Sequence, residues 1–168
     1  MAVVAVKSTL ITNADATPVV LNNPRVDGGF ERIEVATAAI TDTDSIASTY
    51  RMFRVPSNAV MTDLRIYSPD IGTTTISDIG LYRTAKDGGA VVDANFFADA
   101  LSLKDGALNG VDVLHEGGGF FTIANSGKEL WDALGLTADP GVFYDVAFTL
   151  TAAADATATV KLIGRYTA

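Results

Sequence analysis

The only histidine of the chain, His115, sits in the run Leu114-His115-Glu116-Gly117-Gly118-Gly119. A catalytic triad needs a nucleophile and a carboxylate converging on that one imidazole, and no serine of the chain stands in a nucleophile-elbow context. Without a second histidine or any cysteine, a cupin-type metal cluster has no ligand set. His115 and Glu116 therefore read as loop residues offered for contact. Glycines 117 to 119 do not spell G-x-G-x-x-G, and strand-like residues follow them, so a phosphate cradle would lack the helix N-terminus that supplies its dipole; they read as a hinge or turn. Thr41-Asp42-Thr43-Asp44-Ser45 offers closely spaced oxygens, but an EF-hand-like loop needs further acceptors, a central glycine and a distal glutamate. It reads as a solvated acidic loop. Paired carboxylates for glycoside hydrolysis leave no signature when they lie on distant strands, and only a pair about 5 to 9.5 Å apart in a deep cleft would reveal them. An aromatic content of 8% argues against a sugar-stacking cleft.

The densest polar-aromatic patch is Tyr50, Arg51, Phe53 and Arg54, ahead of Val55-Pro56. On a regular strand Arg51 and Phe53 share one face, and Tyr50 and Arg54 share the other. One arginine is then exposed or at an interface, where its planar fork pairs with carboxylates and stacks on rings; alternatively it snorkels over the core edge. The candidate interface residues are thus Tyr50, Arg51, Arg54, His115 and Glu116. No residue is assigned to catalysis, to a cofactor or to a metal.

The elements carrying these residues show a period of two rather than 3.6. Val142, Tyr144, Val146, Phe148 and Leu150 alternate with Phe143, Asp145, Ala147, Thr149 and Thr151, the pattern of a half-buried strand. Ala158 to Tyr166 and Val60 to Tyr67 alternate in the same way. Weaker strands are expected at Ile76 to Thr84, Ile46 to Val55, Glu31 to Ile40, Val91 to Ala98 and Phe120 to Ala124, with short ones at Val3 to Thr12 and Pro18 to Leu21. Turn chemistry separates them at Asn22-Asn23-Pro24, Asp27-Gly28-Gly29, Pro56-Ser57-Asn58, Ser68-Pro69-Asp70, Asp87-Gly88-Gly89 and Asp139-Pro140-Gly141. One helix is expected over Ser126 to Leu134, with Ser126 as N-cap, Glu129 completing a capping box and Gly135 as the stop. Ser102 to Gly119 reads as a long exposed loop. The fold class is all-β, an antiparallel sandwich of jelly-roll type with one short helix. The 168 residues form one domain, 1–168, with 1–23 as an extended N-terminal arm.

Composition narrows the partners. Twenty acidic against twelve basic residues give a net charge of −8, which repels a phosphate backbone, so nucleic acid is not a direct ligand. The absence of cysteine removes disulfides and thiolate chemistry. With 48% apolar and only 19% charged residues, the surface is expected to be rich in Thr, Ser, Ala and Asn and suited to contact with other subunits. No run approaches the length of a membrane helix, and Met1 to Lys7 lacks the layout of a secretion signal, which points to a chain made and kept in the cytoplasm.

The succession Ser48 to Ala59, then Leu64-Arg65-Ile66, then Asp78-Ile79-Gly80-Leu81-Tyr82 with Gly88 to Asp93, resembles small structural proteins encoded near the capsid genes of tailed bacteriophages. The resemblance covers residues 48 to 99. It implies a capsid decoration or cement protein: a β-rich domain that sits as an oligomer, a trimer above all, on the outside of the head in a virion assembled in the host cytoplasm, and bridges major capsid protein subunits. The alternative it leaves open is a tail- or fibre-associated jelly roll that binds a host-surface glycan.

Overall fold

The computed structural model of the chain describes residues 7–168. Two four-stranded antiparallel sheets face each other. The strands are β1 (Glu31–Ile40), β2 (Thr49–Pro56), β3 (Val60–Ser68), β4 (Ile76–Arg83), β5 (Val91–Ser102), β6 (Leu108–Asp112), β7 (Phe143–Leu150) and β8 (Ala158–Thr167). The first sheet runs β1-β8-β3-β6 and the second β2-β7-β4-β5. In chain order, β1 pairs with β8, β2 with β7, β3 with β6 and β4 with β5. A ribbon of four nested antiparallel pairs, closed by β3–β8 and β4–β7 contacts, is the double Greek key of an eight-stranded jelly roll.

The strands form where the alternation places them, and their inward faces make the core. Leu64, Ile66, Val160 and Leu162 of the first sheet meet Ile79, Leu81, Val146, Phe148 and Leu150 of the second, all essentially fully buried. Gly164 is needed at its place: a Cβ there would lie 2.4 Å from the Cζ of Phe53, which fills the space between the sheets. Phe96, Phe97 and Phe121 form an aromatic cluster with centroids 4.9–5.8 Å apart, one pair edge-on and two tilted, which avoids the face-to-face sandwich that ring quadrupoles disfavour.

Several expectations are corrected. The Ser102 to Gly119 stretch is not all loop: β5 runs on to Ser102, and Leu108–Asp112 adds a fourth strand to the first sheet. Gly117 to Gly119 are not a hinge. They lie against the backbone of β5, where Gly119 has room for no Cβ (2.4 Å to Phe97 C) and Gly118 forms a bridge with Ala98. Phe120 to Ala124 is not a strand; only Phe121 is buried, its N–H bonds to Phe96 O at 2.7 Å, and the chain then turns through a short 3-10 segment, Ile123–Asn125.

The helix expected over Ser126 to Leu134 shrinks to a single turn, α2 (Leu130–Ala133). Gly127 takes a left-handed φ of +81°, which breaks the helix, and Ser126 turns its hydroxyl to His115 instead of capping. The turn still closes one end of the core, with Leu130 and Ala133 buried and the Leu130 and Trp131 N–H groups bonded to Ala59 O and Ser57 O. A second short helix, α1 (Thr9–Ala14), occupies part of the segment read as a strand over Val3 to Thr12, and Pro18 to Leu21 forms no strand. The remainder of the first reading, Val3 to Val6, lies outside the described residues.

Candidate interface site

Strand β2 carries the first group of candidate residues, and a bulge decides where they point. Arg51 pairs with Ala147 but Phe53 pairs with Val146, so Met52 is an extra residue in the ladder. A bulge shifts the alternation by one. Arg51 and Arg54, expected on opposite faces, therefore both reach the outer face of the second sheet, and Phe53 turns into the core.

Both arginines meet Asp145 of β7. Arg51 Nη1 donates to Asp145 Oδ2 at 3.0 Å and Arg54 Nε donates to Oδ1 at 2.7 Å. Arg51 is tied further, to the carbonyls of Arg83 (2.7 Å) and Gly89 (2.8 Å) on the β4–β5 hairpin, with its guanidinium 5.2 Å from the centroid of Tyr82. The Tyr82 hydroxyl in turn bonds Thr149 at 2.8 Å. Strand β7, read as half-buried, is covered on both faces: Asp145 is 5% exposed and Ala147 0%. Asp145 survives burial because two cations and two hydrogen bonds replace its water.

Two cations share this one carboxylate, with the charge of Asp87 acting on Arg54 as well. Arg54 is about half exposed, with a side-chain accessibility of 48%, and only its Nε bonds to Asp145. Arg54 lines a shallow cavity of about 250 Å³ together with Arg51, Met52, Phe53 and Asp145. An open guanidinium edge beside apolar wall suits a carboxylate from another chain.

Tyr50 lies on the opposite side of β2. Its ring packs 5.6 Å from Phe148, and its hydroxyl donates to Asp44. Burial, together with that carboxylate, pushes the phenol well above its ordinary range. Asp44 is held below the usual carboxylate range by the Thr41 N–H, then by the Tyr50 and Thr41 hydroxyls. The acidic Thr41–Ser45 loop is thus a closed turn whose central carboxylate is already occupied.

The second group of candidates lies elsewhere. His115 Nε2 is 2.9 Å from Ser126 Oγ, and its ring packs 5.8 Å from Phe121. The nearby Asp112 carboxylate accepts the backbone N–H groups of Leu114 and His115, at 2.8 and 3.4 Å. Among the described residues no carboxylate is hydrogen-bonded to the imidazole, as a triad would require. His115 borders a cavity with Arg25, Val60, Met61 and Ser126, which shares no residue with the arginine cavity, and Glu116 is exposed beside it. Among the described residues, no three His, Asp or Glu side chains converge as a metal site would need.

Sequence reading missed two polar anchors. Glu129 accepts from Arg25 Nη1 and Trp131 Nε1, each at 2.5 Å, and so ties the N-terminal segment to α2. Asp155 accepts from the N–H and hydroxyl of Thr73, both at 2.8 Å, and from Thr75 at 3.2 Å, which locks the β3–β4 loop to the β7–β8 loop. A lone mid-strand or loop carboxylate carries no sign of partners some 80 to 100 positions away.

The eight-stranded architecture has counterparts among solved structures. A chain of the Cyanophage Pam1 capsid asymmetric unit matches with a TM-score of 0.53 at 15% identity, over 91% of this chain and 96% of that one. A chain of the capsid of Ralstonia phage GP4 matches with a TM-score of 0.58 at 16% identity, over 83% and 84%. No family model and no curated protein matches the sequence. At these identities the likeness shows the fold alone, an eight-stranded two-sheet sandwich shared with these phage capsid chains.

Proposed function

We propose that the chain is a non-enzymatic structural protein of a phage virion that binds the outside of the head and stabilises contacts between major capsid subunits. One observation carries this reading: the whole jelly roll, not a fragment of it, is shared with a chain of the Pam1 capsid over more than nine-tenths of both chains. The surface supports it. The half-open arginine fork is set up for an acidic partner. Leu21 and Phe30, at 90% and 95% exposure, present apolar area that a monomer in water gains nothing by displaying.

In this reading the protein acts as a wedge, alone or as the trimer implied by the phage resemblance. Stabilisation arises by linkage: each bound copy adds interface that must be lost before the shell opens. The segment 1–23 serves as an arm toward the neighbour. From Lys7 to Phe30 no side chain is buried, so the arm gains burial only from a partner. The Glu129–Arg25 pair and the bond from Thr167 Oγ1 to Arg25 O (2.7 Å) fix its root.

The test is co-sedimentation with heads assembled from the major capsid protein of the same phage. Full-length protein is expected to pellet with the heads. A version lacking residues 2–20 is expected to keep its thermal transition and to bind at least about tenfold more weakly, the equivalent of losing about 1.4 kcal/mol of contact. Full-affinity binding by the truncated protein removes the arm from the mechanism, and failure of the full-length protein to bind removes the head reading altogether.

A further inference from the structure

Two sheets present four edge strands, and three are guarded against pairing with another chain. Strand β2 has the bulge at Met52 and ends at Pro56, β5 breaks register with β4 three times, and β6 is five residues long with Gly110 at a φ of +71°. Bulges, short length and proline are the ordinary devices that blunt an edge. Strand β1 has none of these three, and its inward charges, Arg32 and Glu34, guard it only against a partner that cannot pair them. It pairs with β8 through ten consecutive residues without a register break, and Glu31–Ile40 contains no Pro, Gly or Lys.

The N-terminal half of β1 is also open on both faces. Glu31, Arg32 and Ile33 are all exposed in succession, and the outward Ile33 and Val35 are 55% and 63% exposed. On the inward side of the same strand lie Arg32 and Glu34, two positions apart, and neither has an ion-pair partner among the described residues. Glu31, by contrast, is engaged by Thr62 and Arg165.

From this juxtaposition we infer that β1 pairs antiparallel with β1 of a second copy of this chain, about a two-fold axis near Ile33. An isologous contact requires a self-complementary surface, and this strand is one. With Ile33 on the axis, Arg32 of each copy stands opposite Glu34 of the other, giving two reciprocal ion pairs at cross-strand distance. Ile33 meets Ile33 on the opposite face, and the free backbone groups of both edges are satisfied. The overlap, Glu31 to Val35 from each copy, is too small for a stable dimer by itself, since lasting interfaces bury roughly 1,200 Å² or more. The pairing is therefore weak in solution and gains strength where copies are held close together. It is compatible with a three-fold assembly, because it would join copies belonging to different trimers, and it does not depend on any capsid partner.

The chain has no cysteine, so one introduced thiol reports on one contact. Under mild oxidation Ile33→Cys is expected to give a covalent dimer, seen on a non-reducing denaturing gel, at least about tenfold faster than Thr159→Cys on the neighbouring β8, because pairing raises the effective thiol concentration. Adding Arg32→Glu turns both reciprocal attractions into repulsions and is expected to slow cross-linking about tenfold. The charge swap Arg32→Glu with Glu34→Arg restores the complementarity and is expected to recover the rate, which also shows that these variants remain folded. Equal rates for the Ile33 and Thr159 thiols, or indifference to Arg32→Glu, would overturn the pairing. Because the assay contains no heads, its failure leaves the capsid reading standing, and failure of head binding leaves the pairing standing.

Discussion

Replacing Asp145 by asparagine removes the charge at the centre of the arginine site while preserving its shape, and the geometry fixes what that should cost. Asp145 accepts two charge-assisted hydrogen bonds, at 3.0 and 2.7 Å, from donors whose side chains are 33% and 48% exposed. A hydrogen bond to a charged group contributes about 1.5–3 kcal/mol when well buried, and exposed ion pairs contribute about 0–1. Taking the Arg51 bond within the buried range and adding nothing for the solvent-open Arg54 gives a loss of about 2 kcal/mol. For a chain of this size that is a fall in Tm of about 4–8 °C. The single variants should divide unequally. Arg54→Gln should lose clearly less than Arg51→Gln, because its cation keeps much of its water. Arg51→Gln should lose about 1.5–2.5 kcal/mol, because it also releases the carbonyls of Arg83 and Gly89 on the β4–β5 hairpin. Urea denaturation of the four proteins, with the Asp145→Asn/Arg54→Gln double variant to measure coupling, decides the matter. A loss below about 0.5 kcal/mol for Asp145→Asn, the ordinary range of an inert surface change, or an equal loss for the two arginine variants, would refute the assignment of Arg51 as the anchored cation and Arg54 as the open one.

Two further outcomes follow from the packing and the charges. Gly164→Ala places a methyl 2.4 Å from Phe53 Cζ, and the overpacking should cost about 1–3 kcal/mol; thermal melts of Gly164→Ala with and without Phe53→Leu should show at least about 1 kcal/mol of favourable coupling, and additive losses would mean the two do not touch. The N–H and hydroxyl of Thr73 hold Asp155 down to about 2 from 3.8. A lowered folded-state pKa gives stability that is complete above 3.8 and lost as the pH falls toward about 2. Wild type should therefore lose more of its Tm than Asp155→Asn between pH 4 and 2, and parallel curves would show that the loop lock does not titrate.

The architecture was legible because alternation is a local signal. Ala158 to Tyr166 buries the face its pattern assigns, Val142 to Leu150 buries that face and most of the other as well, and seven of the eight strands fall within a few residues of their expected bounds. Strand β6 escaped because five residues around Gly110 carry too little alternation to separate from loop. The helix was overread because capping chemistry at Ser126 and Glu129 is ambiguous: Ser126 found His115, and Glu129 found Arg25 and Trp131. At the arginine site the residues were recognised but their geometry was inverted. Nothing in Thr49–Pro56 announces a bulge at Met52, since the extra residue exists only in relation to β7, whose Asp145 lies 91 positions beyond Arg54.

That inversion has a functional consequence. Had β2 been regular, Arg51 and Arg54 would lie on opposite faces, one of them directed into the core with no partner and at large cost. The bulge instead spends one residue of ladder to gather two cations over one buried carboxylate. The first cation fastens the β4–β5 hairpin, and the second keeps an open edge toward solvent. Leaving Arg54 half exposed keeps one guanidinium available at the surface, which supports the contact role proposed for it while Arg51 holds the site still.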